Sequence, residues 1–166
     1  MLIGCGGSGK STLAAKIARL TGLPLIHLDA VFWKPGWKDT PREEWARMMA
    51  GMAKEDAWVM DGNYGGTMDI RLSACDTVIF LDFPRSLCLW RMLKRRVMFR
   101  NQTRPDMAPG CPEHVSWEFL MWIWNYRRTR RPGIFKKLAA LKQDQRAIIL
   151  DSPRKVEELL ARLSNS

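Results

Sequence analysis

The sequence has no apolar run long enough to cross a membrane as a helix, because such a helix needs about 18 or more residues. Its longest apolar run, FLMWIWNY at Phe119–Tyr126, has instead the length of a buried helix face. No basic segment precedes the apolar residues of the first stretch, MLIGCGG, so we expect no signal peptide. We therefore expect a cytoplasmic location and no membrane partner.

Cysteine and histidine are scarce, with four cysteines and two histidines in 166 residues. The cysteines are scattered along the chain and lack the paired spacing of a zinc site or a disulfide framework. We interpret them as small apolar residues of the interior. They are Cys5, Cys75, Cys88 and Cys111.

Acidic residues are sparse in one part of a chain whose net charge is +10. Between Arg91 and Arg131, ten basic residues stand against three acidic ones, so most of the excess charge lies in that span. A basic cluster of this size binds polyanions. A nucleoside triphosphate and a nucleic acid both fit, and charge alone leaves the two open.

The chain has the length of one domain, and short apolar runs alternate with amphipathic segments along it. Alternating strands and helices form a parallel sheet through right-handed crossovers. We predict a three-layer α/β fold with a five-stranded parallel sheet and helices on both faces. The predicted strands are Met1–Ile3, Pro24–Asp29, Trp58–Asp61, Thr77–Asp82 and Ala147–Asp151. Because the first is so short, we expect it to begin upstream of Met1.

Between the strands, the patterns predict six helices. The second is expected at a capping box formed by Thr40 and Glu43, with Pro41 in its first turn. In the third, Leu87, Trp90, Leu93 and Val97 form one apolar stripe, and we expect most of the tryptophans to lie in the core or at a lid hinge. The helices are Ser11–Leu20, Thr40–Ala53, Ser86–Arg100, Ser116–Arg130, one after Gly133 and one after Pro153.

A glycine-rich stretch, Gly4-Cys-Gly-Gly-Ser-Gly-Lys-Ser11, matches the phosphate-loop pattern G-x-x-x-x-G-K-[ST] between a strand and a helix. Glycines let backbone N–H groups converge on phosphate oxygens, and the helix N-terminus adds its dipole. Lys10 is expected to neutralise the transferred phosphate, and Ser11 to ligate Mg²⁺. The pattern thus predicts an ATP site formed by Gly4, Gly6, Gly7, Ser8, Gly9, Lys10, Ser11 and Thr12.

Three further segments resemble P-loop kinases of the adenylate-kinase-like group: WVMDGNYG at 58–65, TVIFLDFPRSLCLWRMLKRR at 77–96 and IILDSPRKVEELL at 148–160. HLDAVFWKPGW, DGNYGGT, TRPDMAPGCPE and the paired arginines most resemble the bacterial DNA topology modulation (FlaR-like) family. The resemblance implies a single kinase domain over 1–166. It also implies an acceptor-binding insert at 30–57 and a helical basic lid at 97–133.

The same resemblance implies roles for individual residues. Asp61 would order the hydration shell of Mg²⁺, and Arg91 would stack on the nucleotide base. Asp82 either helps to order Mg²⁺ or only fixes the turn that follows it, and both roles stay open. The phosphates would be clamped by Arg95, Arg127 and Arg131, and the adenine bordered by Ser152 and Pro153.

The phosphate acceptor is the open question. Nucleoside monophosphate kinases hold the acceptor's phosphate with an arginine four residues after the strand-end aspartate, where this chain has Gly65. Three other arginines are possible substitutes: Arg42, Arg47 and Arg71. Asp29, predicted to end the second strand as in kinases of nucleosides and small polyols, suits a hydroxyl acceptor, since a hydroxyl needs a base and a phosphate does not.

We therefore expect transfer of the γ-phosphate of ATP to a hydroxyl of a small molecule, with Asp29 as the base. The alternative for Asp29 is a turn residue or one that orients Mg²⁺. The candidate acceptor-binding residues are Asp29, Trp33, Trp37, Tyr64 and Arg71. A monophosphate kinase is the second hypothesis. A nucleic-acid-associated NTPase affecting DNA topology is the third, although no DNA-binding motif supports direct binding of nucleic acid.

Overall fold

The computed structural model describes residues 1–100 and 102–165 of the chain. Its main sheet contains five parallel strands in the order β2-β5-β1-β6-β7, which confirms the predicted five-stranded parallel sheet. Two short strands, β3 and β4, pair antiparallel as a separate hairpin. The strands are β1 (Leu2–Gly4), β2 (Leu25–His27), β3 (Trp33–Lys34), β4 (Lys38–Asp39), β5 (Val59–Asp61), β6 (Thr77–Leu81) and β7 (Arg146–Leu150).

Helices connect the strands and surround the sheet. A 3₁₀ turn at Gly65–Thr67 leads into α4. No helix in the described part of the chain has both the length and the apolar composition that a membrane span requires. The helices are α1 (Lys10–Thr21), α2 (Leu28–Phe32), α3 (Arg42–Met52), α4 (Met68–Ala74), α5 (Arg85–Met98), α6 (Trp117–Thr129), α7 (Arg131–Ala139) and α8 (Pro153–Ser164).

The main core lies around β1 and β6, two of the three interior strands of the sheet. Leu2, Ile3, Val78 and Phe80 are all buried, because helices cover both faces of these strands. Burying a side chain such as Phe80 stabilises the fold by about 1.5–3 kcal/mol. All four cysteines are free and buried, as expected from the sequence. The sheet is therefore a rigid base for the loops at the carboxyl ends of its strands.

The second strand and the segment after it differ from the prediction. β2 ends at His27, so Asp29 lies in the first turn of α2 and does not end a strand. The capping box of α3 does not form, because the Thr40 hydroxyl donates to the Phe32 carbonyl oxygen and Pro41 occupies the N-cap position. The hairpin of β3 and β4 was not predicted, since two-residue strands show no periodicity.

The apolar stripe predicted on α5 is present, but it is largely exposed. Trp90 and Val97 retain 59% and 77% of their accessible surface, and on α6 Trp117 retains 71%. The buried side of α5 contains instead Cys88 and Met92, which pack in the main core. The prediction of a core position was therefore wrong for Trp90 and Trp117. Spacing locates a stripe on a helix but does not show whether a neighbour covers it.

The predicted helical lid is helical in α6, at the start of α7 and in the last residues of α5, but not in the described residues between α5 and α6. The described residues between these helices form turns, with one bridge between Arg100 and Glu113. Asn101, which falls within the predicted lid, lies outside the described residues. Met107, Ala108 and Cys111 form a small buried cluster that packs against the hairpin of β3 and β4. We call residues 102–115 the lid loop.

Candidate active site

The phosphate loop connects β1 to α1 and has the backbone that the sequence pattern predicts. Gly7 and Gly9 have φ values of 77° and 93°, a region that disfavours residues with a side chain. A Cβ atom on Gly7 would lie 2.2 Å from the carbonyl oxygen of Cys88, so glycine alone fits there. The Ser8 hydroxyl is buried and has no hydrogen-bond partner among the described residues. An anion held by the loop would supply such a partner.

Lys10 and Ser11 at the start of α1 are positioned for the expected chemistry. The Lys10 ammonium donates to the Cys5 carbonyl oxygen at 3.0 Å, within its own loop. The Ser11 hydroxyl donates to Asp61 Oδ2 at 2.8 Å, which brings together the hydroxyl and the carboxylate predicted for Mg²⁺. These are the hard oxygen donors that Mg²⁺ prefers, so the pair fits that ion.

His27 is a site residue to which the sequence assigned no role. Its Nδ1 atom lies 2.5 Å from Asp61 Oδ1, because His27 and Asp61 are register partners at the ends of β2 and β5. This hydrogen bond raises the pKa of His27, partial burial opposes it, and the charges of Asp61, Asp106 and Asp29 raise it further. No sequence signal pointed to this role, because the predicted strand continued past His27 to Asp29.

Asn63 was also missed, and it connects the end of β5 to the phosphate loop. Its Oδ1 accepts the N–H of Gly4 at 3.0 Å, and its Nδ2 donates to the carbonyl oxygen of Gly4 at 2.7 Å. A carboxamide can make both bonds at once, because it carries an acceptor oxygen and a donor N–H₂ group. Asn63 therefore joins the first residue of the phosphate loop to the segment that leads to Tyr64.

Tyr64 holds Asp29 in place. Its hydroxyl donates to Asp29 Oδ1 at 2.6 Å, and its ring lies 4.8 Å from that of Phe32 and 4.9 Å from that of Trp45, between centroids. Burial, followed by the charge of Asp29, raises the pKa of Tyr64, so the phenol stays protonated and remains a donor. The φ of 34° at Tyr64 is rare for a residue with a side chain and turns the backbone at this point.

One cavity of about 930 Å³ brings the phosphate loop and the candidate acceptor residues together. Residues 6–12 line one part of it, and Asp29, Trp33, Trp37 and Tyr64 line another. Arg91, which donates to the Ser8 carbonyl oxygen at 3.0 Å, is also part of the wall. The cavity therefore has room for a nucleotide together with a second small molecule.

Two of the residues expected to border the nucleotide, Ser152 and Gly4, do not line the cavity. Pro153 lines the cavity, whereas Ser152 is the N-cap residue of α8 and is not part of the described wall. Gly4 lies at the base of the phosphate loop, where its N–H and carbonyl bond to Asn63. Both contribute to the shape of the loops at this edge of the sheet.

Arg71 does not contact the cavity, which corrects its assignment to the acceptor site. It is fully buried, with 0% of its surface exposed, and donates to the carbonyl oxygens of Gly62 at 2.8 Å and Asn63 at 2.6 Å. Burial lowers the pKa of Arg71 to about 10. Arg42 and Arg47 on α3 are exposed and lie outside the cavity wall. None of the three arginines considered as binders of an acceptor phosphate therefore lines the cavity.

Glu113 of the lid loop binds two arginines of the cavity wall. Arg95 donates through Nε to Glu113 Oε1 at 2.9 Å, and Arg104 Nε lies 2.6 Å from Glu113 Oε2. Arg104 also donates through Nη1 to Asp106 Oδ2 at 2.8 Å. Burial and the neighbouring Arg104 lower the pKa of Arg95, while Glu113 opposes this shift. The sequence identified Arg95 but not Arg104 or Glu113, because no local pattern marks the pairing of these arginines with Glu113.

Asp82, which follows β6, pairs with the two other arginines expected to clamp phosphates. Arg131 donates through Nε to both carboxylate oxygens of Asp82, at 2.9 and 3.0 Å, and Arg127 Nε lies 3.9 Å from Asp82 Oδ1. Neither arginine lines the main cavity. A metal role for Asp82 would therefore require Arg131 to move, whereas Ser11 and Asp61 already form an oxygen pair.

The lid loop is bonded to the hairpin of β3 and β4 at three points. Trp37 Nε1 donates to the Pro112 carbonyl oxygen at 3.1 Å, and the Gly36 N–H donates to the Gly110 carbonyl oxygen at 3.0 Å. The Cys111 thiol lies 3.3 Å from the Lys34 carbonyl oxygen. These contacts join the lid loop to the segment that contains Trp33 and Trp37, so one side of the cavity is built from both.

Comparisons with known proteins agree with the fold. No family model and no curated protein matches the chain. A shikimate kinase from Bacteroides thetaiotaomicron superposes with a TM-score of 0.59 and 19% identity, over 99% of this chain and 94% of the other. A gluconokinase from Sinorhizobium meliloti 1021 gives 0.51 and 19%, over 99% and 91%. The likeness shows that this chain has the α/β fold of P-loop kinases.

Proposed function

We propose that the protein is an ATP-dependent kinase that transfers the γ-phosphate to a hydroxyl group of a small molecule. The observation that supports this most is the shared cavity, in which the phosphate loop and Asp29 form parts of one wall. The structural neighbours named above are kinases of small molecules. The monophosphate-kinase hypothesis loses support, because Arg71 is buried against backbone carbonyls.

The donor half of the reaction uses the phosphate loop. Its backbone N–H groups and Lys10 would bind the phosphates of ATP, with Arg91 against the base and Pro153 at the adenine. Ser11 and Asp61 would hold Mg²⁺, which when bound neutralises charge on the phosphates. The structure already holds Ser11 and Asp61 together, so little rearrangement of these two side chains is needed.

The acceptor half uses Asp29. As the acceptor oxygen bonds to the γ-phosphorus, its proton passes to the Asp29 carboxylate, and the bond from the γ-phosphorus to the bridging oxygen breaks to release ADP. Tyr64 occupies Asp29 Oδ1 and so leaves Oδ2 for the acceptor hydroxyl.

The lid arginines complete the proposed site. Arg95 already lines the cavity, and its Nε is held by Glu113. Arg127 and Arg131 are proposed to reach the phosphates on closure of the lid, after release from Asp82. Closure would exclude water and so limit hydrolysis of ATP. The acceptor-binding insert, the adenylate-kinase-like and FlaR-like assignments and the cytoplasmic location belong to this same proposal.

A panel of acceptors tests the proposal. We expect the protein to form ADP from ATP and Mg²⁺ when a sugar or nucleoside is added, with a phosphorylated product detected by mass spectrometry. Lys10→Ala and Asp29→Asn should each lower kcat by about 100-fold or more, since general base catalysis alone contributes about 10²–10⁴-fold. Asp39→Asn, which changes an exposed acid of the hairpin, is the matched control.

Turnover of nucleoside monophosphates that survives Asp29→Asn would instead support a monophosphate kinase. The nucleic-acid hypothesis is tested separately by a gel shift at low salt, where phosphate contacts are strongest.

A further inference from the structure

We infer that the acceptor is an uncharged ring compound with free hydroxyl groups, such as a sugar or a nucleoside, and that acceptors bearing a carboxylate or phosphate are excluded. This inference rests on the proposed function, because it concerns the second molecule in the same cavity. The acceptor side of the cavity is defined here by Asp29, Trp33, Trp37, Tyr64 and Asp106.

The first argument is the sign of the charge on this side. Asp29 and Asp106 both line this side of the cavity, as does the imidazole of His27. Asp61 already bonds to that imidazole. An anionic group placed beside Asp29 would therefore be repelled by this carboxylate, whose hydrogen-bond partner is the uncharged Tyr64 hydroxyl.

The second argument is that the nearby guanidinium groups already have carboxylate partners. Arg104 lies between Glu113 and Asp106, and Arg95 bonds to Glu113. The Glu113 side chain is almost fully buried, with 2% of its surface exposed. If Arg104 turned to an acceptor anion, it would leave two carboxylates close to that anion, one of them buried. These arginines are thus poorly suited to selecting an anionic acceptor.

The third argument is the apolar wall. The rings of Trp33 and Trp37 lie 5.3 Å apart between centroids at an angle of 69°, and both pack against the Met107 cluster of the lid loop. Both rings line the cavity and are only partly buried. Aromatic faces bind the apolar face of a sugar or a base, while hydroxyl groups at the ring edge remain free to reach a carboxylate. An uncharged polyhydroxy ring matches both features.

Matched pairs of acceptors test the inference. Glucose is compared with gluconate, and adenosine with its 5′-monophosphate, by kcat/KM at saturating ATP and Mg²⁺. For a pair whose neutral member is phosphorylated, we expect its kcat/KM to exceed that of the anionic member by about tenfold or more, the cost of one unfavourable charge contact. An equal or higher value for both anionic members would overturn the inference.

A substitution of Asp106, on the acceptor side of the cavity, gives an independent test. Asp106→Asn removes one of the two partners of Arg104 and one carboxylate facing the acceptor. We expect the ratio of anionic to neutral kcat/KM to rise by about tenfold, while Asp39→Asn leaves that ratio unchanged. An unchanged ratio in Asp106→Asn would show that these charges do not select the acceptor.

The two proposals fail in different ways. If none of the four compounds is phosphorylated, the proposed hydroxyl kinase fails for these acceptors, and calorimetric titration of the same compounds into the intact protein still decides the inference. Tighter binding of the neutral members supports it. Tighter binding of the anionic members, or no binding of either neutral member, overturns it.

Discussion

The phenolic hydroxyl of Tyr64 donates to Asp29 Oδ1 at 2.6 Å, and this bond joins the end of β5 to α2. The bond fixes one carboxylate oxygen and leaves the other for an acceptor. The tyrosine ring packs against Phe32 of α2 and Trp45 of α3, which also contact each other, so the orientation of Asp29 depends on this aromatic cluster. Four predictions follow the chain of contacts that begins at this pair.

Removal of the Tyr64 hydroxyl should slow the reaction without weakening ATP binding. Tyr64→Phe keeps the ring packing but loses the bond to Asp29, so we expect kcat to fall by about tenfold with an unchanged KM for ATP. In an Asp29→Asn background the same change should have little further effect, because the two residues act as one unit. Steady-state kinetics measure both.

Tyr126→Phe, at the other tyrosine of the chain, is the control and should leave kcat nearly unchanged, since its hydroxyl lies 3.5 Å from Asn63 and does not contact Asp29. Additive effects of Tyr64→Phe and Asp29→Asn would contradict the positioning role.

Loss of Arg71 should destabilise the protein. Arg71→Met leaves the carbonyl oxygens of Gly62 and Asn63 without their donors, and each such buried group costs about 1–3 kcal/mol. We expect the free energy of unfolding in urea to fall by about 2 kcal/mol or more. Arg47→Met, at an exposed arginine of α3, should change it by less than about 0.5 kcal/mol. A specific rise in the KM of an anionic acceptor, with no loss of stability, would restore the binding role.

Changes at Asn63 should weaken ATP binding through the phosphate loop. Asn63→Asp keeps an acceptor for the Gly4 N–H but loses the donor to the Gly4 carbonyl and adds a negative charge near the phosphates. We expect the Kd for ATP, measured by calorimetry, to rise by about tenfold, a cost of about 1.4 kcal/mol. Asn125→Ala removes a comparable bond, to the Met121 carbonyl of α6, and should leave the Kd unchanged. An unaltered Kd in Asn63→Asp would show that the loop does not depend on this clamp.

Stability of the metal-free protein should depend on pH through His27. Its bond to Asp61 raises its pKa in the folded state above the ordinary value of about 6.5, so the protonated form is stabilised by folding. This contribution is fully present below about pH 6.5 and is lost as the pH rises through the raised pKa. Urea unfolding with EDTA, from about pH 5.5 to about pH 8.5, should show the loss, and His27→Gln should flatten it.

His114→Gln, at the exposed second histidine, should retain the pH dependence of the unmodified protein. If His114→Gln flattened the profile and His27→Gln did not, the His27–Asp61 pair would not be its source.

Much of the donor half was predictable because its signals are local. The spacing from Gly4 to Ser11 is contiguous, and its glycines reflect a backbone path that side chains obstruct. The alternation of strands and helices also predicted the parallel sheet, since each element is defined within about ten residues. Asp61 was assigned to Mg²⁺ by resemblance, and the structure places it beside Ser11.

The roles that were missed or changed depend on residues distant along the chain. Arg71 is polar, yet its guanidinium satisfies backbone carbonyls in the interior, and composition does not distinguish that use from binding a ligand. Glu113 and Arg95 meet only because the lid loop folds back on α5. The exposure of Trp90 was also not predictable, because periodicity does not reveal which side of a helix another element covers.

Local patterns were enough to predict the phosphate loop, the order of strands and helices and the presence of an acid before a run of aromatic residues, since each depends on neighbours in the chain. The tertiary structure alone decided how the charged side chains pair. It placed Arg71 in the interior, bonded Asp82 to Arg131 and bonded His27 to Asp61. The physical reason is that a charge takes its role from the groups brought within a few ångströms of it by folding, and those groups are distant in the sequence.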